Sequence, residues 1–173
     1  MKARWLGLAL GVLWFGSAAV NAALAQDASS IDRWNGEAVI SALQALKASD
    51  IQATTVAGRP AITARTKDGL NVGVYAKACD PAPPGVEPIC HGLEAVMSFD
   101  PGRRPDRMTL ADRLNHRFAL GKFMDEPDGT LRLSRYVVFE GSVTPANLRA
   151  DLASLFAIGS LTTQTLWPGA AKP

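Results

Sequence analysis

Asp68-Gly69-Leu70-Asn71-Val72-Gly73-Val74-Tyr75-Ala76-Lys77 decides the fold, because a turn dipeptide opens a segment in which apolar residues recur at every second position. Asp-Gly predicts a type I′ hairpin turn, whose two central residues both need φ > 0. Leu70, Val72, Val74 and Ala76 then share one face, since side chains alternate across a pleated strand. The same period of two extends in both directions. Upstream, residues 51–57 and 61–66 read as short strands rich in Thr and Ile, separated by Gly58-Arg59-Pro60. Downstream, Leu93, Ala95, Met97 and Phe99 alternate in the same way.

Helical periods flank this run. Val39, Ile40, Leu43 and Leu46 predict a helix over 36–48, and Leu110, Leu114 and Phe118 one over 109–118. A second hairpin follows, 119–125 and 131–139, turning at Glu126-Pro127-Asp128-Gly129. Arg135 interrupts its apolar face of Leu131, Leu133, Val137 and Phe139. Thr144 suits an N-cap and Pro145 a first helical position, opening a last helix with Leu148, Leu152, Leu155, Phe156 and Gly159 on its stripe. The order α-β-β-β-β-α-β-β-α predicts an α+β domain, an antiparallel sheet with helices packed on it. No βαβ nucleotide-binding unit is present.

The N-terminus carries a different signal. Met1-Lys2-Ala3-Arg4 is basic, Trp5 to Val20 is apolar or small, and Ala23-Leu24-Ala25 precedes Gln26. This is the order of a cleavable export signal. The apolar run falls short of the roughly 20 residues of a membrane span. Residues 1–25 are therefore expected to be a signal peptide, 26–35 a polar lead-in, 36–167 the domain and 168–173 a frayed tail. The destination is the periplasm or the exterior. The chain has 18 Lys and Arg against 16 Asp and Glu, and losing Lys2 and Arg4 with the signal leaves 16 of each. A formally neutral protein with scattered cations offers no field for nucleic acid or anionic lipid.

Cys79 and Cys90 are the only cysteines, and an oxidising compartment makes a disulfide the first reading. The intervening Asp80-Pro81-Ala82-Pro83-Pro84-Gly85-Val86-Glu87-Pro88-Ile89 has to be an irregular loop. Closing it stabilises the fold by about 3 kcal/mol in the chain-entropy model. The spacing does not match a redox C-x-x-C pair, and a metal site on Cys79, Cys90 and His91 lacks a fourth ligand nearby.

As an ordered set, Cys79, Cys90-His91-Gly92-Leu93, Leu114-Asn115-His116-Arg117-Phe118, Asp125 with Asp128-Gly129, and Gly141-Ser142-Val143-Thr144 resemble the YbjN domain family. The resemblance is to its small exported members from Gram-negative bacteria, and it spans residues 36–167. Leu114 and Ser142 depart from the pattern. The resemblance implies a helix–sheet–helix architecture similar to type III secretion chaperones, a regulatory role in sensory transduction and no established catalytic set.

Tested directly for chemistry, the sequence offers little. His91 and His116 have no nucleophile motif beside them. Asp125, Glu126 and Asp128 are better explained by a hairpin turn than by a calcium loop, since a proline divides them and no closing glutamate follows. Asn115, with His116 and Arg117, forms the polar cluster of first interest, and Asn115 is expected to hydrogen-bond a strand or loop backbone. The expected function is a non-enzymatic module that binds another protein or itself, without cofactor or metal. The alternatives are a small-molecule or lipid carrier with an internal apolar cavity, or an enzyme whose pocket gathers groups such as Glu94, Asp112, His116 and Arg117.

Overall fold

In the computed structural model, residues 30–83, 85–102 and 105–169 are described. The expected signal at 1–25 lies outside them. Nine elements follow in chain order: α1 (Gly36–Ala45), β1 (Ser49–Val56), β2 (Arg59–Arg65), β3 (Asn71–Cys79), β4 (Cys90–Phe99), α2 (Arg107–Arg117), β5 (Lys122–Asp125), β6 (Leu131–Val138) and α3 (Pro145–Leu166). The α+β order is the one read from the periods. The strands form one antiparallel sheet in the order β1-β2-β3-β4-β6-β5, so β1 and β5 are its edges.

Strand alternation places one layer of core on the sheet. Ile62 and Ala64, Val72 and Val74, Leu93, Ala95 and Met97, then Leu131, Leu133 and Val137 are all buried on one face. Val39 and Leu43 of α1 and Leu148, Leu152 and Leu155 of α3 close over them, none more than 1% exposed. Helix α2 packs beside β5, with Leu110, Ala111 and Leu114 in the same core. Burying a side chain of this size contributes about 1.5–3 kcal/mol, so the apolar face holds the layers together. The Thr144 cap is as expected, and Asn35 supplies a second. Asn35 Oδ1 accepts from Ala38 N–H, and Thr144 Oγ1 accepts from Asn147 N–H with Pro145 in the first turn.

Ordered pairing begins ahead of α1, within the expected lead-in. Ile31 is buried and exchanges both backbone hydrogen bonds with Val143, and Trp34 N–H donates to Cys90 C=O.

The turn expected at Asp68-Gly69 has a different type. Only Gly69 has positive φ there, Gly69 N–H donates to Thr66 C=O, and Thr66 N–H donates to Leu70 C=O. This is a three-residue loop ending in a left-handed glycine, the other solution that matches strand twist. Thr66 helps select it, since its hydroxyl accepts from Leu70 N–H. The Pro127-Asp128-Gly129 turn repeats the pattern. The two-residue turn with both φ positive lies at Ala57-Gly58, between Val56 and Arg59.

Candidate functional site

The helices leave the other face of the sheet uncovered. Glu94 stands at its middle, in register with Tyr75 of β3 and Tyr136 of β6. Its carboxylate takes Lys77 Nζ at 2.9 Å and Arg132 at 2.7 Å, and Arg132 also reaches Glu126 at 3.5 Å. The two tyrosines lean apart and lie over glycines. A Cβ on Gly92 would sit 2.8 Å from Tyr136 Oη, and one on Gly73 would collide with the Tyr75 ring. Glycine is required at both places so that an aromatic ring can lie flat on the sheet.

Exposed apolar residues lie on β6 and in the β3–β4 loop. On β6, Tyr136 is 50% and Val138 53% exposed, and Val138 stands opposite Gly92, near the start of β4 where the proline loop ends. Within the loop Val86 is 58% and Ile89 47% exposed. The loop is held at its base. Cys79 and Cys90 face each other across β3 and β4 and are joined by a disulfide, Asp80 N–H donates to Ile89 C=O, and His91 Nε2 lies 3.1 Å from Asp80 Oδ2. Loop residues 85–88 border a surface groove with Trp34, Ile40 and Pro60.

The polar residues of first interest are consecutive on α2 and diverge. Asn115 turns inward to the edge strand: Phe123 N–H donates to its Oδ1 at 2.7 Å, and its Nδ2 donates to Phe123 C=O at 3.0 Å. The side chain thus takes the place of a neighbouring strand along β5. His116 Nδ1 donates to Asp112 C=O one turn back, at 2.8 Å. Arg117 reaches Thr165 of α3 and lies over the Phe118 ring. Successive helical residues point about 100° apart, which is why three neighbours serve three separate contacts. Glu94 belongs to the open sheet face, away from Asp112 and His116 on α2, so those groups do not converge.

The acidic hairpin divides in the same way. Asp125 pairs with Arg107, Glu126 with Arg132, and Asp128 accepts from both the N–H and the hydroxyl of Thr130. Those bonds from Thr130 hold the Asp128 carboxyl below its ordinary pKa. Among the described residues no group of three or more His, Cys, Asp or Glu is placed to hold a metal. Arg135, which breaks the apolar pattern of β6, faces the helices and pairs with Asp151 of α3, its Nε donating to Oδ1 at 2.9 Å. Its partner lies sixteen residues away, and no local pattern announces it.

No family model matches the chain, and no curated protein matches it.

Proposed function

We propose that the chain is an exported, non-enzymatic module that binds another protein through its β3–β4 loop. The observation that carries this reading is the exposure of Val86 and Ile89 on a loop that is pinned by the Cys79–Cys90 disulfide and borders a groove with Trp34, Ile40 and Pro60. Apolar surface gathered in one place and rimmed by polar groups is characteristic of protein contact sites, in which tyrosine and arginine are enriched. Pinning the loop lowers the ordering cost of binding. The basic, apolar and small-residue order of residues 1–25 supports export, as does an oxidised cysteine pair. The resemblance to exported YbjN domains, with their chaperone-like architecture, agrees with a polypeptide partner. Groups that could serve catalysis are engaged otherwise: both cysteines in the disulfide, His91 with Asp80 and His116 with its own helix.

Site-specific photo-crosslinking in the native envelope tests the proposal. A photoreactive residue at position 86 or 89 is expected to capture a discrete second protein, while one at Gln164 on α3 is not. Reduction of the disulfide is expected to weaken the capture. The same products from all positions, or none at the loop, would overturn the reading.

A further inference from the structure

Antiparallel sheets extend at their edges, and the two edges of this sheet are finished differently. At β5 the strand has four residues, begins with Lys122, and has the backbone groups of Phe123 taken up by Asn115. At β1 no described group outside β2 bonds to the strand backbone. Residues 51–58, Ile-Gln-Ala-Thr-Thr-Val-Ala-Gly, contain no charge and no proline, and all except Ile51 are exposed. Over this stretch the strand lacks charge and proline as protections against pairing, and its one irregularity lies at its start, between Ser49 and Gln52. The pair flanking a two-residue turn is hydrogen-bonded, so Val56, Thr54 and Gln52 bond toward β2. Ala53 and Thr55 therefore direct their N–H and C=O groups away from the sheet.

We infer that this edge pairs antiparallel with the β1 edge of a second copy, about a two-fold axis at Thr54, joining two six-stranded sheets into one. Charge complementarity selects the occupant. The neutral run is bracketed by Asp50 before it and Arg59 after it. Antiparallel self-pairing sets Ala53 opposite the partner's Thr55 and brings Asp50, which also pairs with Arg65 of β2 at 3.5 Å, toward the turn that leads into the partner's Arg59. Acid then meets base at both ends. In-register parallel pairing would instead align like charges. The symmetry also limits growth: each copy has one open edge, and the guarded β5 edge offers nothing to a third copy. This contact uses the backbone edge of β1, whose Ala53, Thr54 and Thr55 border the same groove as loop residues 85–88, and its test reads self-association rather than capture of another protein.

The test is the mass of the oxidised protein by light scattering across a concentration series. The expected value is twice the chain mass, falling to the chain mass for T54K, which places two cations directly opposite each other at the axis. Circular dichroism should show T54K folded, since Thr54 is exposed and its backbone bonds to β2 are kept. The geometry is tested separately with T54C, which should form an interchain disulfide on mild oxidation, because directly opposed Cβ atoms lie about 4.5–5.5 Å apart. T63C, opposite Gln52 on the neighbouring strand β2, should not. A monomeric wild-type protein, a T54K protein that stays dimeric, or equal cross-linking of T54C and T63C would overturn the inference.

Discussion

Replacing Asn115 tests whether a side chain acts as the missing neighbour of the β5 edge. N115A removes two hydrogen bonds, of 2.7 and 3.0 Å, to a partly buried backbone. Each is worth about 1 kcal/mol net, and leaving partly buried groups unpaired costs about 1–3 kcal/mol more. The better helix propensity of alanine returns about 0.6 kcal/mol. The expected loss is about 2.4–4.4 kcal/mol, or roughly 5–18 °C in Tm for a domain near 150 residues. N115D sharpens the test. It keeps the acceptor for Phe123 N–H but sets a carboxylate oxygen against Phe123 C=O, so at neutral pH it should be at least as destabilised as N115A. Protonation restores a donor. The folded state therefore favours the protonated carboxyl and raises its pKa above the unfolded value of about 3.9. A group whose pKa is raised on folding contributes fully below the unfolded value and loses its contribution as pH rises through the folded one. Urea melts of wild type, N115A and N115D between pH 3 and 8 should show N115D approaching wild type in acid while N115A stays offset. Equal stability of N115D and wild type at pH 7, or a gap between the two variants that ignores pH, would refute the reasoning.

Other substitutions address other parts of the fold. Ala57 has φ 50° in the β1–β2 turn, a conformation that costs a residue with a Cβ about 1–2 kcal/mol. A57N creates the favoured Asn-Gly pair and should stabilise by about 0.5–1 kcal/mol, read as a shift in denaturant midpoint at unchanged slope. D151A strands the Arg135 guanidinium between sheet and helix and should cost about 2–3 kcal/mol, whereas the double variant R135M/D151L should recover much of that loss in the same melts. At Asp128 the pKa is lowered on folding, so its stabilising effect is present above the ordinary 3.8 and is lost as pH falls through the folded value. D128N retains an acceptor for Thr130 without titrating. The stability difference between wild type and D128N should therefore shrink on acidification below pH 3.8, and an NMR titration of Asp128 should give a midpoint below that value.

The facing of the strands was legible because it depends on a local period. Val72, Val74 and Ala76, or Leu93, Ala95 and Met97, reach the core through alternation alone. The Cys79–Cys90 pairing was legible from number and compartment, and the register confirms it by setting the two residues opposite each other. The turn at Asp68-Gly69 was misread in type because dipeptide preference competes with loop length. Thr66 closes a three-residue loop, and the register of β2 against β3 requires it. The role of Asn115 was partly legible, since an asparagine on a helix facing a sheet needs a backbone partner. Which strand supplies that partner depends on the sheet order. The groove that loop residues 85–88 share with Trp34, Ile40 and Pro60 was not legible at all. It joins the β3–β4 loop to α1 and β2, and only the packing of the helix on the sheet brings them together.

The bridge between β3 and β4 also bears on how the chain matures. It joins neighbouring strands at a sequence separation of 11, so the thiols meet once a single hairpin forms, before β6 and α3 complete the sheet. With two cysteines in the chain there is one intramolecular pairing, and no wrong one to undo. Oxidative maturation therefore needs an electron acceptor but no shuffling catalyst. Cells that retain their thiol oxidant but lack disulfide isomerase should produce this protein at full yield.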